Sequence, residues 1–155
     1  MFLSLKIVSG GQTGADRAGL DWALANGNSC GGWCPSGRLA EDGVIDARYP
    51  LKETPSPGYS QRTEWNVRDS EGTVIFSLSR ELTGGSALTE TFAKRWQRPC
   101  LHLYPQADEP AKQLVAFVDE FFINTLNIAG PRAASDNRIE RFVIETLDRA
   151  FLTVD

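Results

Sequence analysis

The residues with the clearest chemical potential form a glycine-rich loop near the start of the chain, Ser9-Gly10-Gly11-Gln12-Thr13-Gly14-Ala15-Asp16. This loop follows an apolar run, Leu3 to Val8, that is typical of a buried strand, and it precedes a segment of helical periodicity over about residues 15–26. Glycine lets the backbone approach a ligand closely and adopt positive φ angles. The free N–H groups and the dipole of a following helix favour an anion. The loop therefore predicts a binding site for phosphate or another oxyanion.

Two further glycine-rich loops follow predicted strands. One is Gly31-Gly32-Trp33-Cys34-Pro35-Ser36-Gly37-Arg38, and the other, Thr83-Gly84-Gly85-Ser86, precedes a predicted helix. In an open parallel sheet, ligands bind beyond the carboxyl ends of the strands, so all three loops are expected at that edge. There they would form a shared site for an anionic ligand. The alternative is that the glycines only serve tight turns, which need them in any case.

Arginine side chains near these loops would complete such a site, because a guanidinium group can pair bidentately with an oxyanion. Arg132 directly follows the last predicted strand, and Arg38 ends the second glycine loop, so these two are the best placed. Arg17 and Arg62 lie near the same loops. For any one of them, a solvated surface position is the more common role.

Two carboxylates, Asp16 and Glu90, are the candidate catalytic residues, since a carboxyl group beside a bound ligand can act as a general acid or base. Helix capping is the simpler role for Asp16. The hydroxyl residues of the glycine loops have no histidine near them in sequence. The only histidine, His102, falls in a predicted strand, which favours a structural role and argues against Ser–His catalysis.

The first loop lacks the two commonest nucleotide-binding signatures. It has no lysine before Ser or Thr at the helix start, as a Walker A loop requires. Its glycine spacing also differs from the G-x-G-x-x-G of dinucleotide-binding domains. The sequence therefore argues against ATP hydrolysis and ordinary NAD binding.

Composition narrows the classes of partner. The 155 residues carry a formal net charge of −4, with 41% hydrophobic and 23% charged residues, which is ordinary for one globular domain spanning residues 1–155. The acidic balance makes a nucleic-acid partner improbable but permits a small anionic ligand. The sequence shows no membrane span and no signal-peptide pattern, so we expect no membrane partner and a cytoplasmic location. Three cysteines and one histidine match no strong zinc pattern, and no metal site is expected.

Apolar runs alternate with segments of helical periodicity, which predicts an α/β fold. The predicted strands are Ser4–Ser9, Ser29–Cys34, Thr73–Leu78, Cys100–Tyr104 and Asn127–Ala129. The predicted helices cover about 15–26, 59–68, 88–96, 110–126 and 139–151. Together they indicate a mostly parallel sheet of about five strands between two helical layers, a three-layer α/β/α arrangement. The irregular stretch 41–61 is predicted to be a long loop that either folds over the site or makes a surface excursion.

Several motifs taken together resemble the circularly permuted YpsA-type branch of the SLOG superfamily. They are GGQTGADRAGLDWA, GGWCPSGRLAEDG, RTEWNVRDSEGTVIF, GGSALT and IAGPRA, and the resemblance runs from about Lys6 to Phe151. Members of this branch are labelled molybdenum carrier proteins. The superfamily also contains molybdenum cofactor carriers, phosphoribohydrolases and a DNA-processing protein. The resemblance implies a Rossmann-like fold, a phosphate-bearing ligand such as the molybdenum cofactor or a nucleotide, and a homo-oligomer.

The resemblance also implies particular site residues. Combined with the arginines chosen above, the candidate ligand-binding set is Gly10, Gly11, Thr13, Gly14, Asp16, Arg38, Gly84, Gly85, Ser86, Thr89 and Arg132. The phosphoribohydrolases carry P-G-G-x-G-T-x-x-E, but here Thr83 stands for the proline and Thr91 for the glutamate, with Glu90 one residue away. A binding or carrier protein is therefore the preferred hypothesis. A nucleotide-processing hydrolase and a nucleotide-sensing signalling module are the alternatives.

Overall fold

The computed structural model describes residues 5–152 and contains a central five-stranded sheet. The strands, numbered along the chain, are β1 Lys6–Val8, β2 Cys30–Gly31, β3 Trp33–Cys34, β4 Leu39–Ala40, β5 Gly43–Val44, β6 Lys52–Glu53, β7 Gly72–Phe76, β8 Cys100–Leu103 and β9 Thr125–Ala129. The main sheet has the order β2-β1-β9-β7-β8, and every pairing within it is parallel. The predicted parallel sheet of about five strands is confirmed.

Five helices cover the two faces of this sheet. They are α1 Ala15–Ala25, α2 Tyr59–Arg68, α3 Gly84–Arg95, α4 Pro110–Glu120 and α5 Arg138–Phe151. Helices α1, α4 and α5 share one hydrophobic core with the strands, while α2 and α3 pack together in a separate cluster. The predicted three-layer α/β/α, Rossmann-like arrangement is thereby confirmed. Among the helices of residues 5–152, none combines the length and apolar composition that a bilayer crossing requires.

Strand β7 shows why the sequence builds this architecture. All five of its residues are buried, and Val74 and Phe76 contribute to the core under α4 and α5. A continuous apolar strand needs cover on both faces, which an alternating strand does not. Full burial of each large side chain contributes about 1.5–3 kcal/mol of hydrophobic stabilisation. The Val-Ile-Phe run therefore favours a central place between two helical layers.

The order of the strands locates the crevice where ligands bind. Strand β9 is the last strand within residues 5–152, but it lies at the centre of the sheet. If β9 is counted first, the order reads 3-2-1-4-5, which is the Rossmann order begun at another strand. In that arrangement the ligand crevice lies where the order reverses, here between β9 and β7. The chain continues from β9 to α5 and from β7 to α3, on opposite faces, so the two loops diverge and leave a crevice.

Three predicted boundaries are wrong. The helix predicted over 110–126 ends at Glu120, because Phe122 takes a φ of 53° and β9 begins at Thr125. Helix α3 begins at Gly84 rather than at residue 88. The strand predicted over 29–34 is divided at Gly32, whose φ is 125°. The second half, β3, leaves the main sheet and pairs with β6.

The irregular stretch after β3 forms a small unit of its own. Strands β4 and β5 pair as an antiparallel hairpin, and β6 pairs with β3. Its apolar side chains pack against α1 in a cluster of Leu20, Cys34, Ala40, Ile45, Tyr49 and Leu51. The stretch predicted as a loop over 41–61 thus contains short strands and packs beside α1, and its last residues already belong to α2.

Candidate functional site

A cleft of about 650 Å³ opens at the carboxyl ends of β7 and β9, at the reversal of the strand order. Its size lies within the range of pockets that hold whole small molecules. The loop after β7, the loop after β9 and the first turns of α2 and α3 form most of its wall. The lining includes Gln12, Asp16, Tyr59, Arg62, Ser77, Thr83, Gly85, Ser86, Gly130 and Arg132.

A second, smaller cavity of about 70 Å³ adjoins the cleft. The two share five lining residues, namely Asp16, Arg62, Thr63, Gly85 and Gly130. Its remaining wall includes Asn66, Thr89 and Asn127, so it is mostly polar. One water takes up about 30 Å³ in the liquid, so this volume is enough for one small polar group. The site therefore has a wide outer part and a narrow inner part.

Arg62 is the central cation of both cavities. The residue is only 8% exposed, its Nη1 donates to the carbonyl of Gly10 at 2.7 Å, and its Nε donates to the Thr63 hydroxyl at 3.2 Å. Its charge is felt at Asp16, yet within residues 5–152 it forms no ion pair with a carboxylate. A buried charge is costly unless it is paired. An anion in the inner cavity would supply the missing partner.

The N-terminus of α3 faces the same space. A Cβ atom on either Gly84 or Gly85 would meet no other atom within 4 Å, so this glycine pair borders open space. The first N–H groups of a helix have no intrahelical acceptor, and those of Gly84 and Gly85 find none elsewhere in the described chain. Ser86 and Thr89 line the cleft and the inner cavity respectively. The helix dipole adds to the attraction for an anion here.

Arg132 lies at the outer rim of the cleft. Its side chain is 52% exposed, and its Nη1 forms an ion pair with Glu41 at 3.3 Å. Its guanidinium group also lies 5.8 Å from the centre of the Tyr59 ring. A second guanidinium group, that of Arg62, lies 5.0 Å from the same ring. The Tyr59 ring therefore lies near two guanidinium groups, that of Arg132 at the rim of the cleft and that of buried Arg62.

Gln12 carries a buried donor with no acceptor. Its side-chain oxygen accepts the N–H groups of Thr13 at 3.0 Å and Glu41 at 2.8 Å, which fixes the orientation of the amide. Its Nε2 is buried and has no partner in the part of the chain that is described. An unmet buried donor costs about 1–3 kcal/mol. Because Gln12 lines the cleft, a ligand oxygen is a natural acceptor for it.

The first glycine loop uses its own N–H groups internally. The N–H of Gly11 donates to the Ser9 hydroxyl at 3.3 Å, and that of Thr13 to the Gln12 side chain. The N–H of Ala15 donates to the carbonyl of Pro131 at 3.1 Å. These three N–H groups of the first loop are therefore already bonded, whereas those of Gly84 and Gly85 at the start of α3 are free among the described residues.

The glycines of that loop serve packing. Gly10 lies against the Arg62 side chain, and Gly11, at a φ of 76°, lies against Leu51. Gly14, at a φ of 88°, lies against the backbone of residues 131–133. Gly10 borders the inner cavity, whereas Gly11, Thr13 and Gly14 do not line either cavity. Thr13 instead accepts the N–H of Ala133 at 3.1 Å and so joins the loop to the segment after β9.

Replacing Gly14 with alanine is expected to lower the free energy of unfolding by about 3 kcal/mol, from a strained φ and from overpacking against backbone. The added Cβ would lie 2.6 Å from the nitrogen of Ala133. Gly27→Ala is the matched control, because its φ is 73° but the space around it is open. The control should lose only about 1–2 kcal/mol. Urea unfolding curves measure both, and equal losses would contradict this role for Gly14.

Asp16 is the ionisable group on the floor of the site. It is 7% exposed and lines both cavities. Burial raises its pKa to about 6, although the nearby Arg62 charge and the N–H groups of Gln12 and Gly10 act in the opposite direction. A carboxyl group with this pKa exchanges its proton near neutral pH. Asp16 can therefore act as a proton donor or acceptor toward a bound ligand.

Two further predicted site residues, Arg38 and Glu90, also lie outside both cavities. Arg38 donates to the carbonyl groups of Ile45, Asp46, Tyr49 and Leu51 at 2.8–3.3 Å. The guanidinium group thus holds the hairpin unit together. Glu90 lies on α3 beyond the cavities, where its charge acts on Cys100 and His102 of β8. Neither residue is placed to contact a ligand in the cleft.

The structure also brings together residues that sequence reasoning left apart. Arg62 lies near the loops in the sequence, but nothing in its local sequence distinguishes it from a surface arginine. Ser77 lines the cleft, and its Oγ lies 2.6 Å from Nε2 of His102. The two are 25 residues apart and meet only because β7 and β8 pair with Ile75 opposite His102. The described residues contain no group of three or more side chains that could hold a metal ion.

These features define a Rossmann-like α/β domain in permuted strand order, with a polar cleft at the reversal of that order. The chain belongs to the circularly permutated YpsA SLOG family, whose sequence model matches residues 7–151. The resemblance seen in the motifs is thereby confirmed. A similar crystal structure, of a "Putative molybdenum carrier protein" from Syntrophus aciditrophicus SB, shares 46% identity and a TM-score of 0.90 over 94% of each chain. No curated protein matches this chain significantly.

Proposed function

We propose that this protein binds a small anionic ligand in the cleft and serves as a carrier for it. The observation that carries the proposal is Arg62, a buried guanidinium group without a carboxylate partner in residues 5–152, on the wall of both cavities. The open N-terminus of α3 contributes to the same wall through Gly85. A cation and a helix N-terminus that share a narrow cavity favour a phosphate or a similar oxyanion.

A molybdenum-containing cargo is compatible with this donor set. The related crystal structure bears a molybdenum carrier name. The lining of the cleft offers arginine, amide, hydroxyl and backbone donors and no thiol. Cys34 is buried in the small cluster beside α1. The site would therefore hold such a cargo through its oxygen atoms, as molybdate or through the phosphate of the molybdenum cofactor, with no protein ligand to the metal.

The size of the cleft favours a ligand larger than a bare oxyanion. The outer part has a volume of about 650 Å³ and includes apolar side chains such as Leu82, Leu88 and Ile139. Tyr59 offers a ring that can contact a flat organic group. In this proposal the inner cavity receives the anionic group, and the outer cleft receives the organic body of a pterin or a nucleotide.

A nucleotide-processing hydrolase is the second candidate, and Asp16 is the observation that favours it. A carboxyl group with a pKa of about 6 beside an anion site has the properties of a general acid or base. Glu90 does not contribute to this candidate, because it lies outside both cavities. The hydrolase would release a free base from a nucleoside monophosphate, whereas a carrier would bind the nucleotide unchanged.

The proposal is tested by ligand-induced thermal stabilisation with molybdate, inorganic phosphate, AMP and the molybdenum cofactor. At a ligand concentration of about 100 Kd, binding stabilises the fold by about 2.7 kcal/mol, which raises the melting temperature of a domain of this size by roughly 5–10 °C. Arg132→Ala should weaken binding about tenfold by removing one charge-assisted contact at the rim. Chromatography of the AMP sample, in which any free adenine would be visible, separates the carrier from the hydrolase.

Arg95→Ala is the matched control, because this exposed arginine pairs with Glu64 at 3.2 Å and lies away from the cleft. The control should bind like the unmodified protein. If no probe stabilises the protein, or if Arg132→Ala and Arg95→Ala behave alike, the cleft is not the ligand site.

A further inference from the structure

The hydroxyl of Ser77 lies on the wall of the cleft and contacts the ring of a histidine. Ser77 directly follows β7 at the reversal of the strand order and is 7% exposed. Its Oγ lies 2.6 Å from Nε2 of His102 and 2.6 Å from the carbonyl oxygen of Ser79. The single hydroxyl proton goes either to the carbonyl of Ser79, with Nε2–H of His102 donating to Oγ, or to an unprotonated Nε2. When the hydroxyl donates to the histidine, Ser77 and His102 form the hydrogen bond of an activated nucleophile.

The surroundings of His102 suit it to act as a base. Partial burial lowers its pKa below the ordinary histidine value, so the ring is neutral at physiological pH and can accept a proton. The charge of Glu90, on α3, acts in the opposite direction and stabilises the imidazolium form. Glu90 is thus close enough for its charge to stabilise the ring once the ring is protonated.

The N-terminus of α3 supplies the remaining element. The free N–H groups of Gly84 and Gly85 begin this helix, and Gly85 lines the same cleft as Ser77. Backbone N–H groups and a helix dipole stabilise the negative charge that develops on an oxygen when a nucleophile attacks. Ser77 and the N-terminus of α3 therefore border the same cleft, while His102 and Glu90 act on Ser77 from outside it.

We propose that Ser77 is a nucleophile activated by His102, and that the cleft cleaves carboxylic esters that carry an anionic group. Oγ of Ser77 forms a bond to the ester carbonyl carbon, its proton passes to Nε2 of His102, and the carbon–oxygen bond to the alcohol breaks as that proton moves to the leaving oxygen. Water then attacks the carbonyl carbon of the acyl-serine and gives its proton to Nε2 of His102. The bond between that carbon and Oγ of Ser77 breaks, the proton moves from His102 to Oγ, and the carboxylic acid is released. Arg62 and Arg132 select substrates with a negative charge. The preference for anionic esters rests on the anion site of the proposed function, whereas the reactivity of Ser77 does not.

The test is covalent labelling with a fluorophosphonate, in which Ser77 displaces fluoride and forms an oxygen–phosphorus bond. Intact mass and peptide mapping should show one adduct, located on Ser77. His102→Gln should lower the labelling rate at least about 100-fold, the usual contribution of a general base. Cys100→Ala is the control, because Cys100 lies two residues earlier on β8 and lines neither cavity, and it should label like the unmodified protein.

A pH profile gives a second measurement on the unmodified protein. The labelling rate should rise with pH as His102 loses its proton, and Glu90→Gln should move the midpoint to lower pH, because a neighbouring negative charge no longer stabilises the imidazolium. If His102 has only a structural role, Glu90→Gln would change the melting temperature but would leave the midpoint of the labelling profile unchanged. The proposal is overturned if Ser77 carries no adduct in folded protein. It is also overturned if His102→Gln leaves the labelling rate unchanged and the rate does not depend on pH.

Discussion

Replacing Arg62 with methionine is expected to weaken binding of molybdate and AMP by at least about 100-fold. Two charge-assisted hydrogen bonds of about 1.5–3 kcal/mol each would be lost. Near pH 5, where Asp16 is mostly neutral, the fold should lose much less, about 1 kcal/mol, because the bonded groups that lose a donor are the carbonyl of Gly10 and the Thr63 hydroxyl. Calorimetric titration measures the affinity, and urea unfolding measures the stability.

Arg17→Met is the matched control for this experiment. Arg17 also acts electrostatically on Asp16, but it pairs with Asp42 at 2.5 Å and lines neither cavity. Its loss should change the affinity by less than about threefold, equivalent to roughly 0.6 kcal/mol. If Arg17→Met and Arg62→Met weaken binding equally, the effect belongs to the general charge of the region and not to a direct contact with the anion.

The second prediction with a large expected effect is that the affinity for sulfate depends on pH. Asp16 has a pKa of about 6 and lies beside the inner cavity, so it is neutral below that pH and negative above it. An anion next to the ionised carboxylate would be repelled. Sulfate, whose charge is constant over this range, should therefore bind most tightly below about pH 6, with affinity falling up to tenfold per pH unit above it. Asp16→Asn should bind sulfate with the same affinity throughout, as titrations at several pH values would show.

The same carboxyl group makes stability depend on pH. Its pKa rises from 3.8 in the unfolded chain to about 6 in the fold, so its favourable contribution is complete below pH 3.8 and is lost as the pH rises through 6. The loss amounts to about 3 kcal/mol, from roughly two pKa units at 1.36 kcal/mol each. Asp16→Asn should thus be more stable than the unmodified protein at about pH 8 and similar at about pH 4. A constant difference across this range would contradict the pKa assigned to Asp16.

The layered architecture could be predicted from the sequence because each strand and helix has a recognisable pattern of apolar residues. The Val-Ile-Phe run of β7 requires cover on both faces, and the periodic apolar residues of α5 indicate a helix of 14 residues, Arg138–Phe151. The same rules placed the site at the carboxyl ends of the strands. The boundaries were less accessible, because Phe122 and Gly32 redirect the chain through φ angles that depend on tertiary contacts.

The composition of the site was only partly predictable. Asp16, Gly85 and Ser86 lie in the first turns of helices that follow strands, Arg132 lies in the loop after β9, and the structure places all four at the cleft. Nothing local distinguishes Arg62 from a surface arginine, because its burial follows from the packing of α2 against the first loop. The pairing of Ser77 with His102 likewise depends on the register of β7 and β8, which single-sequence patterns do not fix.

The central place of β9 has a consequence for how the molecule is made. Strand β9 pairs with β1 through contacts such as Lys6 with Thr125, and with β7 on its other side. During synthesis the other four strands leave the ribosome first, so two pairs of strands must wait with open inner edges until β9 emerges and joins them. Such non-local pairing slows folding. The nascent chain is thus most exposed to aggregation just before its last strand is complete, and chaperones that shield strand edges should act at this stage.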